Sequence, residues 1–151
     1  MYPVALFPDG ELVALTWLRA ALAARPEPYA AGVTVATKLP PATSPGRHVR
    51  LRRLGGGQLH VVADSPRIQA QVWFSTGGAA DEKSRNDLAQ LVWALLRGIR
   101  GQSVTIPGWP APVACYRVAT FSGPIPVPDP VDASRTISQL AVEIAMRGRA
   151  L

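Results

Sequence analysis

The sequence predicts an α+β fold: a mostly antiparallel or mixed β-sheet with two main helices packed on one face. Three stretches carry that prediction. From Arg67 to Phe74, Ile68, Ala70, Val72 and Phe74 alternate with Arg67, Gln69, Gln71 and Trp73, the period of two of a strand with one face in the core. After the break Thr76-Gly77-Gly78 the period changes. Leu88, Leu91, Val92, Leu95, Leu96 and Ile99 recur at helical spacing and form a wide apolar stripe. Near the C-terminus, Thr136, Ser138, Leu140, Val142, Ile144 and Met146 alternate with Ile137, Gln139, Ala141, Glu143, Ala145 and Arg147, which predicts a long final strand. At 151 residues the chain fits one domain, spanning 1–151, with enough length for a sizeable core.

Taken in order, Pro8-Asp9-Gly10 leads into a first helix over Glu11 to Ala24, with Asp9 placed to cap it. Leu15, Leu18 and Leu22 mark its inner face, Ala14 and Ala21 permit close approach, and Trp17 lies off the centre of the stripe. Arg25-Pro26-Glu27-Pro28 ends it, because proline removes a donor and restricts the residue before it. Val33 to Thr37 reads as a short strand, and Leu39 to Gly46 as a loop without packing pattern. In His48 to Leu54, Val49 and Leu51 alternate with His48, Arg50 and Arg52; Gly55-Gly56-Gly57 then predicts a hairpin turn into Gln58 to Asp64. Asp81 and Glu82 open the second helix, and Arg97, Arg100 and Gly101 close it, as the helix dipole and a left-handed cap favour. Val113 to Ser122 predicts a strand, with Val113, Cys115 and Arg117 on one face and Tyr116, Val118 and Thr120 on the other. Pro124, Pro126, Pro128 and Pro130 alternate through the next segment, which is expected to be extended and polyproline-like. The loops over about 38–47 and 123–134 are expected to project. The helices are expected to cover one sheet face and to leave the other, bearing Arg50, Gln69, Gln71 and Trp73, to solvent or neighbours.

Composition narrows the function classes. Only 17% of residues are charged and 15 are proline, the net charge is +6, and mean hydropathy is +0.12. A surface that poor in charge suits a partner-covered protein, and the modest basic excess suits a scattered solvated surface or an acidic neighbour. The single cysteine, Cys115, excludes an internal disulfide and a cysteine-based zinc site, and it falls within an apolar strand pattern. Met1-Tyr2-Pro3 supplies no basic start for a signal peptide, and no apolar run reaches the about 18 residues of a membrane span, so synthesis in the cytoplasm and no membrane partner are expected. The two histidines, His48 and His60, lack a third ligand; no nucleophile sits in an elbow context; and the triglycine opens no helix that would cradle phosphate. The sequence therefore predicts no catalytic residue, no metal and no cofactor.

One charge cluster stands out: Arg47, Arg50, Arg52 and Arg53. Alternation sends Val49 and Leu51 inward, so Arg50 and Arg52 leave on the opposite face with His48, while Arg47 and Arg53 flank it. Such a face either meets a polyanion through phosphates or pairs with carboxylates of another subunit, unless it is simply solvated. No interleaved aromatics suited to stacking bases accompany it.

In their order and spacing these stretches resemble the tail terminator (tail-to-head joining) proteins of long-tailed phages, particularly those of actinobacterial hosts. The resemblance runs through Leu12 to Ala24, Val33 to Pro40, the arginine strand from His48 closing on Gly55-Gly56, Asp64-Ser65-Pro66 with the strand to Trp73, the Asp87-Leu88-Ala89 helix, and Pro128-Asp129-Pro130 before the last strand and Arg147. The proline-rich stretch from Gly101 to Pro112 departs from it. The resemblance implies a non-enzymatic virion protein at the tail neck. It would cap the tail tube as a homohexameric ring, end tube polymerisation and join the tail to a head-side connector or stopper protein, with DNA passing through the lumen unread. On that reading Arg50, Arg52 and Arg53 are candidates for the lumen or the subunit joint. Pro40, Pro41, Trp73, Trp109, Ile125 and Val127 are candidates for assembly contacts. The competing readings are another tail-tube or connector subunit, and a small basic nucleic-acid-binding module.

Overall fold

The computed structural model describes residues 4–151, apart from the side chain of Phe121; Met1, Tyr2 and Pro3 lie outside the described residues. The fold is α+β, with strands β1 (Ala5–Leu6), β2 (Thr34–Ala36), β3 (Gly46–His60), β4 (Ala63–Ser75), β5 (Gln102–Val104), β6 (Val113–Pro128), β7 (Thr136–Arg147) and β8 (Arg149–Ala150), and helices α1 (Gly10–Ala23) and α2 (Asp81–Arg97). Strands β1 and β8 pair as a small ribbon near the chain ends, and the rest form one sheet in the order β2-β3-β4-β7-β6-β5. Among the described residues only β2 and β3 run parallel.

The helices form where the sequence periods place them. Asp9 caps α1 by accepting from the Leu12 amide at 3.3 Å, and Val13, Ala14, Leu15, Leu18 and Leu22 are buried. Trp17, half-buried, donates its indole N–H to the Leu95 carbonyl at 2.7 Å and so ties α1 to α2. Leu88, Val92, Leu96 and Ile99 are fully buried. Both helices pack on the sheet face made by Val49, Leu51, Ile68, Ala70, Val72, Leu140, Val142 and Ile144. At about 1.5–3 kcal/mol per buried aliphatic side chain, this layer is the main source of stability.

Four expectations need correction. The triglycine is not a turn. β3 runs through it to His60 and reverses at Val61-Val62, and the register slips between Arg53 and Gly56, where Leu54 and Gly55 of β3 oppose the single residue Arg67 of β4. Gly56, at φ +79°, abuts the Ser65 carbonyl oxygen so closely that no side chain fits, which is why a glycine bulge stands here. The proline segment does not project from 123 to 128. It forms the end of β6, with Ile125 opposite Gln139 and Val127 opposite Ile137 on β7. Prolines at every second position suit an edge strand, since nitrogens of one parity point away from the neighbour. The face alternation of β6 also shifts, because a bulge between Cys115 and Arg117 brings Val118 against the core and leaves Tyr116 exposed.

The fourth correction concerns the helix-free face. Trp73 is 1% exposed, and Gln69 and Gln71 are buried, so this face is not simply left to solvent. Two loops fold over one end of it. Pro40 and Pro45 are buried in the first loop, whose residues 41–44 are exposed, and Asp129 is buried in the second. Asp129 accepts from Trp73 Nε1 at 2.9 Å, Arg135 Nη1 at 3.2 Å and the Val131 amide at 2.8 Å, while Arg135 Nη2 reaches the Ala42 carbonyl at 3.3 Å.

Candidate functional site

The candidate site is the part of the helix-free face that the two loops leave open. Strand register builds it. On β3, His48, Arg50 and Arg52 stand opposite Trp73, Gln71 and Gln69 of β4, and Gln71 and Gln69 stand opposite Gln139 and Ala141 of β7. Side chains opposite one another on one face are in reach, so the arginines meet the glutamines. Arg52 Nε donates to Gln69 Oε1 at 2.9 Å, and Arg50 Nη1 donates to Gln71 Oε1 at 3.3 Å. Gln71 Nε2 passes the chain on to Gln139 Oε1 at 3.3 Å, and Arg50 Nε donates to the Thr37 carbonyl at 3.4 Å.

This arrangement orients both guanidinium groups without neutralising them. Their acceptors are neutral oxygens, and neither arginine takes part in an ion pair among the described residues. Burial, and then the charge of Arg52, draws the Arg50 guanidinium below its ordinary value, yet an arginine stays protonated at neutral pH. The result is a fixed pair of half-buried positive charges. Chemically it can receive phosphates or carboxylates, and it carries no nucleophile.

Arg53 does not belong to this pair. It holds Asp64 in a two-pronged ion pair at 2.8 and 3.0 Å, and its own backbone N–H donates to Glu11 Oε2 at 3.1 Å. Arg53 is therefore a tie between β3, the hairpin and α1. Arg47 lies 4.9 Å over the Phe74 ring and donates to the Pro28 and Ala31 carbonyls.

The residues expected at assembly contacts separate by burial. Pro41 and Ile125 are exposed, the latter by 48%, and Val127 and Trp109 are half-buried, with Arg149 lying 5.3 Å from the Trp109 ring. Pro40 and Trp73 are buried within their own chain and offer no contact surface. The histidines do not converge. His48 is buried, edge-on to Trp73 at 5.7 Å, with its Nε2–H on the Lys38 carbonyl at 2.9 Å. His60 is exposed roughly 40 Å of strand away. Burial pushes the Cys115 thiol up to about 11, an unreactive packing role. No metal-holding group of three or more His, Cys, Asp or Glu occurs among the described residues.

Sequence reasoning missed the anchoring roles of Gln69, Gln71, Gln139, Asp129 and Arg135. The spacing of the glutamines was visible, but their meeting with Arg50 and Arg52 depends on register between distant strands. Comparison with protein-family models and with curated proteins finds no match.

Proposed function

We propose that the chain is a non-enzymatic phage tail terminator, a subunit of a ring that caps the tail tube, ends its polymerisation and joins the tail to the head. The single observation that carries this reading is the paired, unneutralised Arg50 and Arg52 held by glutamines on the helix-free face. A sheet face that presents fixed positive charge, with helices confined to the other side, suits a subunit whose open face meets either the lumen or the next copy. The motif order along the chain supports the same reading. In a lumen, such arginines would contact passing DNA through phosphates and read no sequence; at a joint, they would receive carboxylates of the adjacent subunit.

Removing the gene from its phage tests this function. Loss of the protein is expected to give tails of uncontrolled length that fail to join heads, with normal particles restored by supplying the protein. Normal-length, head-joined tails in its absence would refute the terminator role.

A further inference from the structure

Two kinds of acceptor suit the arginine face, phosphates and the carboxylates of a neighbouring copy, and the distribution of charge over the chain decides between them. Most of the positive charge is gathered on that face. Alternation along β3, β4, β6 and β7 places Arg50, Arg52, Arg67, Arg117 and Arg147 on the helix-free side, against the single carboxylate of Glu143. Five arginines and one glutamate make +4 of the chain's +6 net charge. Arg117 and Glu143 share a small cavity of about 80 Å³ there with Ser65 and Ala145. Arg117 and Arg147 are exposed, and neither takes part in an ion pair among the described residues.

A second copy of the chain has little to offer such a face. Of its ten acidic residues, eight are already engaged within the chain as helix caps, turn acceptors, the acceptor of the Arg53 amide or partners in ion pairs. Glu82 and Glu143 remain. Glu143 stands on the arginine face itself, and Glu82 is on α2 on the other side of the sheet. Anions enough for this face therefore come from a different kind of molecule.

Spacing favours the backbone of a duplex. Arg50 and Arg52 are two residues apart on an extended strand, about 6.8 Å between Cα atoms, near the separation of successive phosphates along one strand. Arg117 lies on β6, three strand spacings from β3 and four residues further along the register, which puts it about 20 Å from Arg52. That reach exceeds the gap between neighbouring phosphates on one strand and spans the roughly 12 Å major groove together with the phosphates on its rims. Glu143 falls midway between Arg52 and Arg117 in the same register, beneath the groove and away from either phosphate row. Gln69 and Gln71 already hold the guanidinium groups of Arg52 and Arg50, so little ordering remains to be done on binding. We infer that the helix-free face binds duplex DNA across one groove, with Arg50 and Arg52 on one phosphate row and Arg117 on the other. The inference rests on the arginine face of the reading above and needs no ring.

The test is fluorescence anisotropy of a short labelled DNA duplex titrated with the purified chain, repeated between about 50 and about 200 mM salt. A second duplex of unrelated sequence and polyglutamate of matched charge are run in parallel. Both duplexes are expected to bind equally, polyglutamate at least about tenfold more weakly, and log affinity is expected to fall with log salt at a slope of about −2.7 or steeper, about 0.9 for each phosphate contact. The Arg50→Ala, Arg52→Ala double variant is expected to bind about tenfold or more weakly, with the slope reduced by about 1.8. Arg117→Ala, at an exposed position where folding is not at stake, is expected to reduce the slope by about 0.9, while Arg97→Ala on α2 leaves affinity and slope unchanged. No binding at about 50 mM salt, equal binding by polyglutamate, slopes unchanged in the arginine variants, or an equal loss in Arg97→Ala would each overturn the inference. Its failure is distinct from failure of the capping role: absence of duplex binding leaves tail capping intact, and normal tails after gene removal leave duplex binding intact.

Discussion

Arg50 and Arg53 share one strand but hold their charges differently. Arg53 is committed to Asp64, which is 3% exposed and also accepts from the Ser65 amide at 2.9 Å. Asp64→Ala therefore strands a partly buried guanidinium and a backbone donor. With the arginine side chain one-third exposed and partly screened, a loss of about 2 kcal/mol is expected, measured by urea denaturation. Arg50→Ala removes part-buried contacts, all to neutral oxygens, and is expected to cost about 1 kcal/mol or less in the same assay. His48 makes a pH prediction. Its burial holds the imidazole below its ordinary value, with a smaller push in the same direction from Arg50 and an opposing one from the Lys38 carbonyl. The unfolded chain therefore binds a proton first, at about pH 6.5, while the folded chain does not. Stability is full above that value and declines as pH falls below it. His48→Gln is expected to flatten the change in urea midpoint between about pH 7.5 and pH 5.5; an unchanged slope would place the dependence elsewhere.

At the scale of elements, α1, α2, β4 and β7 were legible because each writes its own period into a local stretch. Asp9, Asp81 and the apolar stripes mark the helices without reference to anything distant. The triglycine was not legible in that way. Glycines with positive φ serve turns and bulges alike, and only pairing with Ser65 and Pro66 decides between them. The prolines of β6 were readable as extended but not as paired, since pairing depends on β7. Alternation assigned Gln69, Gln71 and Trp73 to the helix-free face correctly, yet could not show the loops that bury Trp73. That cover hangs on Asp129, in a proline-flanked stretch with no apolar period of its own. The bulge gives a sharp contrast between neighbours. Gly56→Ala is expected to cost about 2 kcal/mol or more, because its methyl group would meet the β4 backbone from a left-handed conformation. Gly57→Ala, with open space around it, is expected to change stability by less than about 0.5 kcal/mol. Equal losses in thermal denaturation would mean that the bulge is not rigid.

For the whole molecule, the sheet has one face occupied by helices and one that is partly roofed and partly open. Its outer strands are incompletely covered. β2 pairs only with His48 to Arg50 of β3, and β5 only with Val113 to Cys115 of β6. The open arginine pair and the uncovered lengths of β3 and β6 give the molecule surfaces for neighbours without disturbing its core. The Arg50→Ala, Arg52→Ala double variant is accordingly expected to keep its fold, with a stability change within about 1 kcal/mol, and to impair tail completion or DNA passage. Fully infectious particles with normal-length tails would leave a solvated surface as the better description of those arginines. The decisive observation is electron microscopy of the purified protein, alone and mixed with isolated tail tubes. A closed hexameric ring is expected, in solution or seated on one tube end, with Arg50 and Arg52 facing the lumen or the next subunit; a protein that stays monomeric and leaves the tube ends bare would contradict it.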